Sequence, residues 1–349
     1  MSFRNQKENL SVGPENEIRR KQLGRTGLDV TIVGLGSAFL GCATREQANL
    51  LYVQPELVTI DNRLAIHTVH TALEEGCGLI DTAPLYIKGT SEEIIAEALR
   101  ERPDLAEKCI VTTKVGHYPG EIYDFSYDAT VQSVERSLKR LGRNYFEIVY
   151  IHDPMGANME QVLGKQGAFG ALNNLKQHGF VRNIGIAAND PIVNARYIET
   201  GQFDAAVVPG GLSLLNQLAL QSIVPAAKKH NTGLVIATPI ERGLLITGYQ
   251  TNTEYLERNF SKRTIERLQE IRALCAQHGV SLASVALQWC VRHEPVATTI
   301  PGAATPDEAA INMRAAKEHV PDTLWEELDA LITTDPLDPR RDLGLLYSN

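Results

Sequence analysis

The chain lacks the features that mark most non-enzymatic roles. No apolar run reaches 18 residues, so no segment reads as a membrane-spanning helix. No block of Lys and Arg stands out, and the formal net charge is −8. An acidic chain without a basic stripe is a poor partner for nucleic acid or an anionic membrane. Cysteines are few, at 42, 77, 109, 275 and 290, with no CxxC pair. Scattered thiols argue against a disulfide framework and fit buried free cysteines in a reducing cytoplasm. Neither HExxH nor a close Cys/His set occurs, so no metal ligand is assigned. Residues 1–17 are polar and have no apolar h-region, which reads as an extension and not a secretory signal. No Pro-rich or Gly/Ser-rich linker divides the remainder, so 18–349 reads as one domain.

What is present is a strand-then-helix alternation with a core-sized apolar fraction, 43% of residues. VTIVGLG (30–36) precedes a helical period over 63–76, closed by Gly76. GLID (78–81) precedes 91–101, with Ser91 placed as a helix N-cap. CIVTTK (109–114) leads into 126–142, and FEIVYIH (146–152) into a helix around 160–178. The second half repeats this: 181–187 then 191–201, 204–208 then 216–231, 233–239 then 264–279 and 281–294, and 296–302 then 307–317. Eight apolar strands, each followed by a helix, specify an α/β fold with a parallel sheet buried on both faces, a closed (β/α)8 TIM barrel. Residues 18–29 read as a hairpin turning at 25–27 that caps the barrel floor. Residues 44–62 read as an insertion after the first strand, serving either a pocket rim or an interface.

Three successive strands end in charge or imidazole. GLID ends in Asp81, CIVTTK in Lys114 and FEIVYIH in His152, and Tyr86 follows Asp81 by five residues. In a barrel of this type the C-terminal strand ends carry the chemistry. A phenol with an ordinary pKa of about 10 needs help to exchange a proton near neutrality. An adjacent ammonium would lower that value, and a carboxylate would balance the ammonium. An imidazole can aim a carbonyl or hydroxyl oxygen at the phenol.

DTAPLY, TTK and YIH, in this order on the second, third and fourth strands, resemble the aldo-keto reductase superfamily over roughly residues 19–335. That resemblance implies a barrel binding NAD(P) without a Rossmann fold, an oxidoreductase, and a catalytic set of Asp81, Tyr86, Lys114 and His152 with Tyr86 as general acid/base. KQLGRTGLDVTIVGLGSAFLG (21–41) and IGIAAND (184–190) are similar to the branch that oxidises C1 of aldoses such as L-fucose, D-threo-aldoses and L-galactose. By the same resemblance Asn189 contacts the nicotinamide carboxamide, and Gly36 and Ser37 lie along the cofactor. ATPIERGLL (237–245) resembles the loop over the pyrophosphate, with Thr238, Pro239, Gly243 and Leu244 in contact. IPGAATPDEAAIN (300–312) resembles the adenosine segment, with Gly302, Ala303, Glu308 and Asn312 as contacts.

Members of the family that prefer NADP carry Lys and Arg where this chain has Gly302 and Glu308. A carboxylate facing a ribose 2′-phosphate costs binding, so NAD is expected over NADP. Against the aldose branch, Leu212 stands where an aromatic is usual, and HYPGEIYDFSYD (117–128) supplies aromatics for a pocket wall. The expected partner is a small sugar or carbonyl substrate, with monomer and homo-oligomer both open. Reduction of aldehydes, ketones or keto-sugars, a cofactor-binding barrel without turnover, and an aldolase using Lys114 as a Schiff base are the alternatives.

Overall fold

The computed structural model of the protein describes residues 17–51, 54–247, 254–255, 258–338 and 342–343. The polar extension assigned to 1–17 therefore lies outside the described residues except at its last position. Eight parallel strands run β1 (Leu35–Gly36), β2 (Leu79–Asp81), β3 (Ile110–Val115), β4 (Phe146–His152), β5 (Val181–Ala187), β6 (Ala205–Pro209), β7 (Gly233–Ala237) and β8 (Val296–Ile300). They neighbour one another in sequence order. Bridges from Val33 to Thr299 and from Gly36 to Gly302 join β1 to β8 and close the barrel. At that seam a Cβ on Gly36 would lie 2.8 Å from the Ile300 carbonyl, so the close approach demands glycine there.

Side-chain alternation sorts each strand between two cores. Leu79, Ile148, Tyr150, Val207, Val235 and Ala297 fill the barrel interior, while Ile80, Val111, Val149 and Ile151 pack outward under the helices. Tyr150 is admitted because β5 has Gly185 opposite; a Cβ there would sit 2.1 Å from the tyrosine ring. The floor is sealed by an antiparallel hairpin, Arg20–Gln22 with Asp29–Thr31. Its buried Leu23 joins the interior cluster, and Arg25 N–H donates to the Asn231 carbonyl just before β7.

Several local readings needed revision. The run 30–36 is not one strand: its first residues complete the hairpin and only Leu35–Gly36 enters the barrel. The helix around 160–178 is two, Met159–Leu163 and Ala168–Gln177, divided at Gly164–Gly167. A Cβ on Gly167 would lie 1.9 Å from the Gln161 carbonyl, which accounts for the break. Ser91 is not an N-cap but the first residue of helix Ser91–Glu101, its hydroxyl turned into the barrel wall. The insertion at 44–62 forms a helix, Arg45–Leu50, and a short turn, Pro55–Leu57. Cys42, Leu51 and Val58 pack there against Ala304, so this segment buttresses the loop after β8. Among the described residues no helix is long and apolar enough to cross a membrane.

Candidate active site

Period-two alternation aims one polar side chain per strand at the same place. Leu79 points into the barrel and Ile80 outward, so Asp81 points inward again. On β3, Val111 faces the helices, Thr112 and Lys114 face in, and Thr113 faces out to Glu92. On β4, Ile148, Tyr150 and His152 share the inner face. Register aligns them: Asp81 is opposite Thr112, and Lys114 is opposite Tyr150.

The resulting cluster is buried, with Lys114 1%, Asp81 3% and His152 6% exposed. Lys114 Nζ donates to Asp81 Oδ2 and, at 2.9 Å, to the Thr82 carbonyl. Thr112 Oγ1 donates to the other Asp81 oxygen at 2.9 Å. Two of the three ammonium hydrogens are thus committed, and the Nζ stands 4.6 Å from the Tyr86 ring centroid. The His152 ring meets Tyr86 edge-on, centroids 5.8 Å apart. All four residues expected at the site converge on one rim.

The loop carrying Tyr86 is locked on both sides. Ile87 and Lys88 are left-handed, at φ 50° and 55°, a costly conformation for a β-branched residue. Lys88 Nζ donates to the Val58 carbonyl at 2.7 Å, tying the loop to the insertion. Beneath, Ser37 donates through both N–H and Oγ to the Asp81 carbonyl. Ser91 Oγ donates to Ser37 Oγ at 3.0 Å and lies 2.8 Å from Thr82 Oγ1. Thr113 and Arg140 both reach the buried Glu92 carboxylate, which fixes β3 from behind.

Electrostatics depart from the sequence argument in one respect. Burial first, then the Asp81 and Asp153 carboxylates, hold the Tyr86 phenol well above its ordinary value. The expected lowering by Lys114 does not prevail, because Asp81 neutralises the ammonium at contact distance. Burial also pulls Lys114 below its usual value, against the opposing effect of Asp81. His152 is pushed down to about 3, chiefly by burial, and is a neutral imidazole at pH 7.

Two residues that sequence reasoning passed over complete the mouth. Asp153, at φ 51°, turns back beside His152 with its Oδ2 3.6 Å from His152 Nε2. It accepts from Asn189 N–H and from Asn189 Nδ2, each at 2.9 Å. Burial would raise its carboxyl, but His117, His152 and the Asn189 amide together bring it below the usual value. His117, from the aromatic segment, stacks on Tyr123 with centroids 4.1 Å apart and lies 3.6 Å from Asp153. Adjacency to His152 was a signal for Asp153; nothing in the sequence pairs His117 with either.

The expected cofactor residues line the same end. Gly36 and Ser37 continue from β1 beside Asp81. After β7, Thr238, Glu241 and Gly243 are left-handed at φ 56°, 48° and 100°, and they turn the loop through Pro239 to the buried Leu244. Glu241, itself buried, accepts from Ser213 Oγ at 2.6 Å. After β8, Gly302 faces Phe39, where a Cβ would come to 3.1 Å, and Ala303 is buried. Asn312 Nδ2 donates to the Gly302 carbonyl at 3.3 Å. Thr305 caps helix Pro306–Ala315, and Glu308 folds back to accept at 2.8 Å from the N–H of Ala304, the residue before the cap.

A barrel bearing these four groups defines an oxidoreductase of the aldo-keto type. The Aldo/keto reductase family model matches residues 53–333, and the chain belongs to that family. It is accordingly an enzyme that interconverts CH–OH and C=O on small carbonyl or sugar substrates with a nicotinamide cofactor. Pyridoxal 4-dehydrogenase of Microbacterium luteolum is 27% identical over 344 residues, covering 88% of this chain and 96% of that protein. D-threo-aldose 1-dehydrogenase of a Pseudomonas species is 26% identical, covering 86% and 94%. Among solved structures, glycerol dehydrogenase AKR11B4 from Gluconobacter oxydans superposes with a TM-score of 0.73 at 25% identity, over 92% of this chain and 98% of that one.

Proposed function

We propose that the protein oxidises the C1 hydroxyl of an aldose to a lactone with NAD, using Tyr86 as proton acceptor. The observation that carries this reading is the convergence of Asp81, Tyr86, Lys114 and His152 on one rim. His152, neutral and buried, donates or accepts one hydrogen bond at the C1 oxygen and holds it towards the phenol oxygen. A bound nicotinamide supplies the acceptor for the hydride leaving C1. As the C–H bond breaks, the O–H proton passes to Tyr86 and the C1 oxygen becomes the lactone carbonyl. The Lys114 ammonium, 4.6 Å from the ring centroid, stabilises the phenolate that this step requires. Asn189, held by Asp153, is the residue we assign to the nicotinamide carboxamide.

NAD preference is supported by Glu308, whose carboxylate fills the Ala304 N–H and would face a 2′-phosphate. The similarity to a D-threo-aldose 1-dehydrogenase supports a sugar substrate. A second reading is favoured by one observation: burial keeps Tyr86 a neutral phenol, the form that donates a proton during carbonyl reduction. Comparing free aldoses plus NAD with simple aldehydes plus NADH, both followed by NADH absorbance, separates the two. Turnover only in the reductive assay would overturn the dehydrogenase proposal.

A further inference from the structure

The mouth of the barrel holds a second constellation that the proton-transfer chemistry does not need. His117, His152 and Asp153 come from two separate segments, yet one ligand atom of each lies within 4.8 Å of the others. Asp153 Oδ2 is 3.6 Å from His117 Nδ1 and 3.6 Å from His152 Nε2. Tetrahedral zinc with bonds of about 2.0–2.1 Å separates its ligand atoms by about 3.4 Å. Two of the three spacings are thus a few tenths of an ångström from a bound geometry, and modest ring rotation closes the third. All three residues are buried, and neither His117 nitrogen has a hydrogen-bond partner.

The surroundings orient these donors as metal ligands are oriented. His117 Nε2 lies 3.6 Å from Glu121 Oε2, while Nδ1 lies 3.6 Å from Asp153 Oδ2. Stacking on Tyr123 fixes the plane of that ring. Asn189 grips both Asp153 oxygens, and the left-handed Asp153 backbone keeps the carboxylate turned in. Two imidazoles and one carboxylate suit a first-row divalent ion such as Zn2+ and suit Mg2+ poorly. The exposed hairpin tip at Ile122 and Tyr123 borders solvent, which gives an ion an approach.

We propose that His117, Asp153 and His152 form a Zn2+-class site at the substrate mouth, and that occupancy removes His152 from the substrate oxygen and inhibits the enzyme reversibly. The inhibitory consequence rests on the role given to His152 under the proposed function; the binding does not. No ligand set is legible in the sequence because His117 lies far along the chain from the adjacent His152 and Asp153 and joins them only in space.

The test is direct binding to the full chain without substrate, by calorimetry with Zn2+ and by visible absorption with Co2+. One ion should bind per chain with tetrahedral Co2+ bands, and Mg2+ should give no heat. His117→Gln and Asp153→Asn, checked for folding by thermal melting, should each weaken binding at least tenfold. Two variants are used so that one decides if the other does not fold. Absence of stoichiometric binding, or binding that neither variant weakens, overturns the site. Zn2+ should also raise KM for whichever substrate is turned over, with chelator restoring it. Binding without this competition retains the site and removes the inhibitory role. Loss of aldose oxidation as a function would leave the calorimetry untouched, so the two readings fail separately.

Discussion

Replacing Lys114 with Met tests the electrostatic core of the site. The substitution keeps an unbranched apolar stem, one atom shorter, and removes the charge 4.6 Å from the Tyr86 ring centroid. With the phenolate charge taken at the ring centroid and an effective dielectric of about 20, the ammonium is worth about 3–4 kcal/mol to it. Asp81 offsets part of this, so a loss of roughly 2–3 kcal/mol, or about a hundredfold in rate, is the expected outcome. The assay is kcat/KM for aldose oxidation with NAD, alongside NADH binding by fluorescence. The fall should reside in kcat, with cofactor affinity nearly unchanged. Stability should drop as well, by about 3–5 kcal/mol, because Asp81 is left charged, buried and unpaired. The double variant Lys114→Met with Asp81→Asn should regain part of that stability and none of the activity. A Lys114→Met enzyme within tenfold of wild type would refute the reasoning.

Other outcomes follow from the same geometry. Because the Tyr86 phenol titrates well above neutrality, oxidation needs its minority form, and log kcat/KM should climb by about one per pH unit through neutrality; a flat oxidative profile over that range contradicts this. His152, pushed down to about 3, lies below its unfolded value of about 6.5. The unfolded chain therefore binds more protons between those values, so stability is complete above about pH 6.5 and declines by several kcal/mol as pH falls towards 3. Urea titrations of His152→Gln should show a shallower acid decline than wild type. Gly185→Ala drives a Cβ into the Tyr150 ring and should cost about 1–3 kcal/mol in urea unfolding. Glu308→Lys should raise kcat/KM with NADP relative to NAD, at the cost of the bond from Ala304 N–H, while an unchanged ratio would remove Glu308 from cofactor choice.

The barrel could be read from the sequence because its strands are short apolar runs whose outer and inner faces are both buried. The site could be read because three of those runs stop on Asp81, Lys114 and His152, and alternation sends all three inward. Features that depend on tertiary closeness were not readable. The run 30–36 is uniformly apolar, so nothing local divides floor hairpin from first barrel strand. The break at 164–167 comes from glycine approaching a carbonyl of the preceding helix, which a hydrophobic period does not register. The Tyr86 phenol is held high by burial and by two carboxylates, one of which, Asp153, was not recognised as part of the site. His117 lies 35 residues from its partner His152 and meets it only when β3 and β4 pair.

The most direct measurement of the central claim is turnover by Tyr86→Phe, which deletes one hydroxyl and keeps the ring packed between Lys114 and His152. With NADH affinity intact, kcat/KM should fall by about 10²–10⁴ in both directions, the span attributed to a positioned acid or base. A variant that binds cofactor normally and turns over within tenfold of wild type would contradict the account.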